Sequence, residues 1–160
     1  VNLSIHPPLN HRHPAHRALR QYLADVAAEF GIGLESATIE EHAPVSAYLA
    51  LDIHLGAQSS GFAALLWDEE RGWALAAESA DGRTLTPIAQ LDSDTIAPGP
   101  TEVAAFVRSA SRAVRREHGR PPNRIRRANG ADALLAELDG YLPAEQFPRI
   151  TPLPGLLAVS

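Results

Sequence analysis

The densest set of potentially reactive groups lies between residues 108 and 127. Arg108, Arg112, Arg115, Arg116, Arg120, Arg124, Arg126 and Arg127 share this stretch with one acid, Glu117, for a formal charge of +7. The remaining chain holds 6 arginines and 18 acids, or -12, and the two parts give the overall -5. Arg108, Arg112 and Arg115 or Arg116 recur at helical spacing, so a helix would line their guanidinium groups into one ridge. Such a ridge contacts anions or nucleic-acid phosphates, with binding that falls as salt rises. The segment offers no aromatic for base stacking and no helix–turn–helix or RNA-recognition signature. The alternative is a solvated helix end, its arginines favoured by the C-terminal dipole and paired with the acidic remainder.

Three other groupings are weaker. His6, His11, His13 and His16 could chelate a metal through neutral imidazoles, but a native site needs fixed geometry and supporting carboxylates. Their segment is broken by Pro7, Pro8 and Pro14 and carries no acid. Asp52 and His54 share a strand face with Ser46, and His42 sits at the preceding turn. An acid orienting an imidazole is hydrolase logic, yet no Gly-x-Ser-x-Gly elbow is present to hold a nucleophile. Asp68, Glu69 and Glu70 are adjacent carboxylates in a turn, where they diverge and do not converge on one ion. No metal and no cofactor is therefore expected, and no catalytic residue is assigned.

Trp67 and Trp73 flank that turn. They either pack as a cross-strand pair or form an exposed aromatic platform beside the acids, the beginning of a protein-binding surface. Tyr48, on the wetter face of a neighbouring strand, belongs to the same candidate surface. What is missing from the 160 residues narrows the chemistry further. There is no cysteine, so disulfides, thiolate metal sites and cysteine nucleophiles are excluded. All 14 strong bases are arginine, so Schiff-base chemistry and a lysine-bearing phosphate loop are excluded as well. No apolar run is long enough to span a bilayer, and no secretory signal pattern opens the chain. A cytoplasmic location is expected.

These residues must be positioned by a recognisable series of elements. Residues 1–13 read as a flexible tail. A helix begins at Pro14, with Leu19, Tyr22, Leu23, Val26, Ala27 and Phe30 on one face. Residues 38–41 form a short strand. Residues 45–54 then alternate, Val45, Ala47, Leu49, Leu51 and Ile53 against Ser46, Tyr48, Ala50, Asp52 and His54. Further strands are predicted at 62–67, 73–78 and 84–91, the last an edge because Pro87 cannot donate to a ladder. A second helix starts at Pro100 or Thr101, its stripe made of Val103, Phe106, Val107, Ala110 and Val114. A third carries Leu134, Leu135, Leu138, Tyr141 and Leu142. Residues 143–160 are a proline-rich tail. The prediction is one α+β domain over residues 14–142. It has an antiparallel sheet of about five strands in meander order, flanked by an N-terminal helix and two C-terminal helices as a two-layer sandwich.

The helix "HRALRQYLADVAAEFGIG" followed by "VSAYLALDIHL" and "FAALLWDEERGWALAAES" resembles a family of small, uncharacterised actinobacterial proteins of the domain-of-unknown-function kind. The resemblance runs from about residue 15 to residue 113, and its most specific element is the hairpin with Trp67, Asp68, Gly72 and Trp73. It implies a GC-rich source and a free-standing domain, and it carries no catalytic residues. The expected function is a non-catalytic interaction or adaptor module that binds a protein partner as a monomer or homodimer, without a membrane. A nucleic-acid-associated protein using the arginine stretch is the first alternative. A small hydrolase or metal enzyme around His42, Asp52 and His54 is the second.

Overall fold

The computed structural model describes residues 7–55, 62–113 and 124–142. The predicted tail 143–160, as well as Arg115, Arg116 and Arg120, lies outside the described residues. Helix α1 spans Pro14–Ala28. It starts where predicted because Pro14 occupies a position whose N–H is not needed, and because the His13 imidazole accepts the free Ala15 N–H at 3.0 Å. It stops before Gly31, whose φ of 70° is cheap only for glycine.

Five strands follow: β1 Ala37–Glu40, β2 Ser46–His54, β3 Phe62–Asp68, β4 Gly72–Glu78 and β5 Leu85–Gln90. They form one open antiparallel sheet in the order β1-β2-β3-β4-β5. Helix α2, Pro100–Ala113, and helix α3, Gly130–Leu138, complete the fold, so the architecture is α+β. The edge prediction for Pro87 holds: β5 is the last strand, and its register against β4 shifts between Leu75 and Ala76.

The side-chain alternation of each strand splits the sheet into two faces. Ala47, Leu49, Leu51, Leu65, Trp67, Trp73 and Leu75 point toward the helices and join Leu19, Tyr22, Leu23, Val26, Val103, Val107, Leu134 and Leu138 in one core. Pairing places Trp67 opposite Trp73 and Leu65 opposite Leu75, so each inward layer continues across adjacent strands. Residues 7–13 differ from the expected free tail. Leu9 is buried in the core, and its N–H donates to the Glu41 carbonyl at 2.8 Å. The prolines prevent helix there, but they do not prevent an extended segment from docking.

Candidate functional site

The face of the sheet turned away from the helices is built from the other half of the alternation. Tyr48 on β2 pairs with Leu66 on β3, which pairs with Ala74 on β4. One row along, Ala50, Ala64, Ala76 and Pro87 lie side by side across four strands. The centre of this face is therefore paved with alanine, and Ala64 and Ala76 are fully buried. Larger apolar groups stand around it. Phe62 and Leu85 are the exposed large hydrophobics of the described protein, at 45% and 38%. Pairing of Leu85 with Glu78 places it on this same face.

The strands are acidic, but part of that charge is paired: Asp68 lies 3.3 Å from Arg71 and Glu40 lies 2.6 Å from His42. The five strands contain four acids, Glu40, Asp52, Asp68 and Glu78, and no arginine. All four fall on the outward side of the alternation. Burial, reinforced by the charge of Glu78, raises the Tyr48 phenol above its ordinary pKa. The arrangement is a partly covered apolar face with acids at its margin and two exposed large apolar side chains.

Trp67 and Trp73 are not on that surface. Each is 1% exposed. The Trp67 indole N–H donates to the Ile96 carbonyl at 2.7 Å, and the Trp73 indole N–H donates to the Tyr22 hydroxyl at 2.9 Å. The Tyr22 hydroxyl in turn donates to the Pro98 carbonyl. Buried indoles and phenols need such partners, and here they pin the connection between β5 and α2 to the core. The platform reading fails because both rings point inward; of the three predicted surface aromatics only Tyr48 faces outward.

A family model described as a family of unknown function, DUF6292, matches residues 22–109. The chain belongs to the DUF6292 family. No curated protein and no solved structure matches it. The DUF6292 match begins at Tyr22 and includes all five strands, so it contains both the Tyr22–Trp73 contact and the whole outer face. It ends inside α2 and omits Arg112 through Arg127.

The predicted ridge of Arg108, Arg112 and Arg115 or Arg116 is described at its first two members, of which Arg108 lies within the DUF6292 match and Arg112 beyond it. Arg108 and Arg112 are exposed on α2, and Arg127 is exposed after it. Arg124 and Arg126 are instead held by the β3–β4 turn. The Arg126 guanidinium donates to the Glu69 carbonyl at 3.1 Å and lies 3.7 Å from the Glu69 carboxylate. Arg124 lies 3.7 Å from Glu70. The Glu70 carbonyl accepts the N–H groups of Ile125 and Arg126, and its carboxylate accepts that of Ala128 at 2.8 Å. Gly72 completes this clasp: its φ is 74°, and a Cβ there would stand 3.2 Å from Ile125. Among the described arginines, Arg124 and Arg126 are thus engaged by the turn, whereas Arg108, Arg112 and Arg127 are exposed.

The same contacts settle what the three turn carboxylates do. Asp68 accepts the N–H groups of Glu70 and Arg71, and Glu69 accepts that of Val45 at 2.7 Å. Burial raises the pKa of Glu69, while the Val45 N–H and Arg126 oppose that rise. The carboxylates diverge as expected and are spent on the fold.

Of the proposed hydrolase residues, Asp52 and His54 are two residues apart on β2, whereas Ser46 and His42 lie at or beyond its other end. Ser46 and Asp52 are on one face but six residues distant, roughly 20 Å along a strand at its usual rise. Exposed His42 pairs with Glu40 at 2.6 Å, an interaction that lowers the Glu40 pKa. His54 is in register with Phe62 at the far end of the strand. Among the described residues, no group of three or more His, Asp or Glu side chains could hold a metal ion.

Sequence reasoning missed the partners of the N-terminal histidines because those partners are far away in the chain. His13 caps α1 through Nδ1, which leaves Nε2 to donate to Asp132 of α3 at 2.9 Å. His16 is buried and stands 3.3 Å from Glu41. Burial lowers its pKa, with Glu41 acting in the opposite direction. His16, His11, Arg20 and Glu41 line a cavity of about 360 Å³ between α1 and β1.

Proposed function

We propose that this protein is a non-catalytic interaction module. Its outer sheet face receives an apolar helix of a protein partner, flanked by basic residues. The observation that carries this reading is the apolar surface left open on the outer side: exposed Phe62 and Leu85, with the partly exposed Tyr48, Ala50, Leu66 and Ala74 between them. Ala64 and Ala76 are already covered, so the surrounding apolar groups supply the contact area. Asp52 and Glu78, outward acids that form no ion pair among the described residues, favour a basic flank on the partner and disfavour a phosphate backbone. The role belongs in the cytoplasm. Arginine and alanine in place of lysine fit an actinobacterial, GC-rich source. No helix of the described residues is long and apolar enough to cross a membrane.

A second reading rests on Arg108 and Arg112. They are exposed four residues apart on α2, and neither forms an ion pair among the described residues. That pair is a small anion-binding ridge, enough for an accessory contact with nucleic acid.

One experiment separates the two. Native-host extract is passed over the immobilised wild type, over a Tyr48→Glu/Phe62→Glu variant and over an Arg108→Glu/Arg112→Glu variant. Captured protein should disappear with the first variant and persist with the second after nuclease treatment. A photo-crosslinker at Leu66 then identifies whether the bound segment is a partner helix, a second copy or residues 143–160 of the same chain. Capture unaffected by Tyr48→Glu/Phe62→Glu overturns the face reading. Retention of DNA or RNA that only Arg108→Glu/Arg112→Glu abolishes establishes the second.

A further inference from the structure

The cavity between α1 and β1 lies on the helix side of the sheet, so it is independent of the proposed docking face. Its walls have three chemistries. Arg20 supplies a guanidinium that forms no ion pair among the described residues. Glu41 supplies a carboxylate, half in solvent and 3.3 Å from His16. Leu34 and Ile39 supply an apolar wall. The opposite charges of Arg20 and Glu41 lie close enough to the buried His16 ring to act on it in opposite directions. About 360 Å³ is the size of a small-molecule site.

We propose that this cavity binds a free aliphatic α-amino acid, its carboxylate on Arg20, its ammonium on Glu41 and its side chain against Leu34 and Ile39. A plain carboxylate would bring its charge against Glu41, and a plain amine would bring its charge against Arg20. Arg20 is exposed and Glu41 half exposed, and a zwitterion meets both groups with the favourable sign. His16 is a positioning residue. Its ring is held by α1 with Nε2 3.3 Å from the Glu41 carboxylate, and it limits where that carboxylate points.

The test is titration of uniformly ¹⁵N-labelled full-length protein with L-leucine, followed by backbone amide shifts. The comparison ligands are 4-methylpentanoate, which lacks the ammonium, 3-methylbutylamine, which lacks the carboxylate, and glycine, which lacks the side chain. Leucine should give saturable shifts at Arg20, Ile39 and Glu41 with a millimolar Kd, and each comparison ligand should bind at least about tenfold more weakly. Arg20→Gln and Glu41→Gln should each weaken leucine by a similar factor without changing the melting temperature. If either variant is destabilised, the ligand series on the wild type still decides. No saturable shift at tens of millimolar leucine overturns the proposal. So does equal binding of a comparison ligand, or wild-type affinity in a variant that melts normally.

Discussion

The two faces of the sheet are built from alternate residues of the same strands, yet they solve opposite problems. The inner face uses the largest side chains, and each buried ring nitrogen or hydroxyl on it has a named acceptor. Trp67 donates to Ile96, Trp73 to Tyr22 and Tyr22 to Pro98. The outer face uses alanine where the inner uses leucine and tryptophan, and it places its acids and its exposed Phe62 around that floor. An inner residue is constrained by the helices packed on it. On the outer side Ala64 and Ala76 are buried as well, while Phe62 and Leu85 stay exposed, and it is that exposed part which the proposed partner would use. The difference teaches where substitutions should cost stability and where they should cost binding.

The largest effect is expected on the inner face. Trp73→Ala removes a fully buried indole, its contact with Tyr22 at 6.0 Å and its donor to that hydroxyl. The loss should be about 3–5 kcal/mol, which a domain of ordinary stability barely survives. Urea denaturation of Trp73→Ala beside Tyr48→Ala measures the contrast directly. Comparable losses would show that the outer face is as much a core as the inner one, and the distinction between them would collapse.

Tyr22→Phe tests the polar part of the inner face. It keeps the ring that stacks at 4.7 Å on Tyr141, but strands the Trp73 N–H and the Pro98 carbonyl. The cost should be about 1–3 kcal/mol at neutral pH. It also has a pH signature. Burial holds the Tyr22 phenol well above its ordinary 10.0, so the folded protein keeps it neutral where the unfolded chain ionises it. That stabilisation is complete below pH 10 and is lost as pH rises toward the folded value. With no lysine or cysteine in the chain, tyrosine dominates titration in that range. The advantage of wild type over Tyr22→Phe should shrink above pH 10; a constant advantage would mean that Tyr22 is not the group that resists ionisation.

How far this contrast was legible in the sequence depends on the reach of each signal. Alternation over residues 45–54 assigns Tyr48 and Leu49 to opposite faces, and Pro87 marks an edge, because both signals are local. The burial of Trp67 and Trp73 was not decidable. A tryptophan beside an acidic turn looks the same whether its nitrogen meets water or a carbonyl 29 residues away. The clasp on Arg126 and the cap-to-Asp132 bridge of His13 span 57 and 119 residues, and no spacing rule announces them. The arginine stretch read as one surface because charge was counted along the chain, whereas the fold sends Arg108 and Arg126 to different surroundings. The outer face was legible only in part. Its alanines are ordinary residues until pairing lines four of them up in one patch.

The clasp lies at the end of the sheet where the two faces meet, and it should respond with intermediate size. Arg126→Ala leaves the buried Glu69 carboxylate with Val45 but without its cation, at a cost of about 1–3 kcal/mol after allowing for partial exposure. Glu69→Gln resolves the charge. The folded pKa of Glu69 is raised above 4.5, so its contribution is greatest below that pH and falls as pH rises through the folded value. The stability of Glu69→Gln relative to wild type should therefore improve from pH 4 toward neutrality, on the order of tenths to 1 kcal/mol. A flat difference across that window would show Arg126 fully offsetting the burial.

The smallest stability effect should come from the outer face, and it is the most informative. Phe62 is 45% exposed and Tyr48 is neither fully buried nor exposed, so Phe62→Ser/Tyr48→Ser forfeits only part of what two core aromatics would. The expected loss is about 1–2 kcal/mol, below that for Trp73→Ala. The same double variant should weaken capture of the partner at least tenfold, because aromatic rims contribute disproportionately to binding. Stability and binding then separate by face: one set of alternating residues folds the protein, and the other set is available to be used. If Phe62→Ser/Tyr48→Ser unfolds the protein, the outer face is being held by something that already covers it. Repeating the measurement on a chain ending at residue 142 identifies that cover. Destabilisation present in the full chain but absent from the shortened one assigns the outer face to residues 143–160, and the partner would then have to displace them.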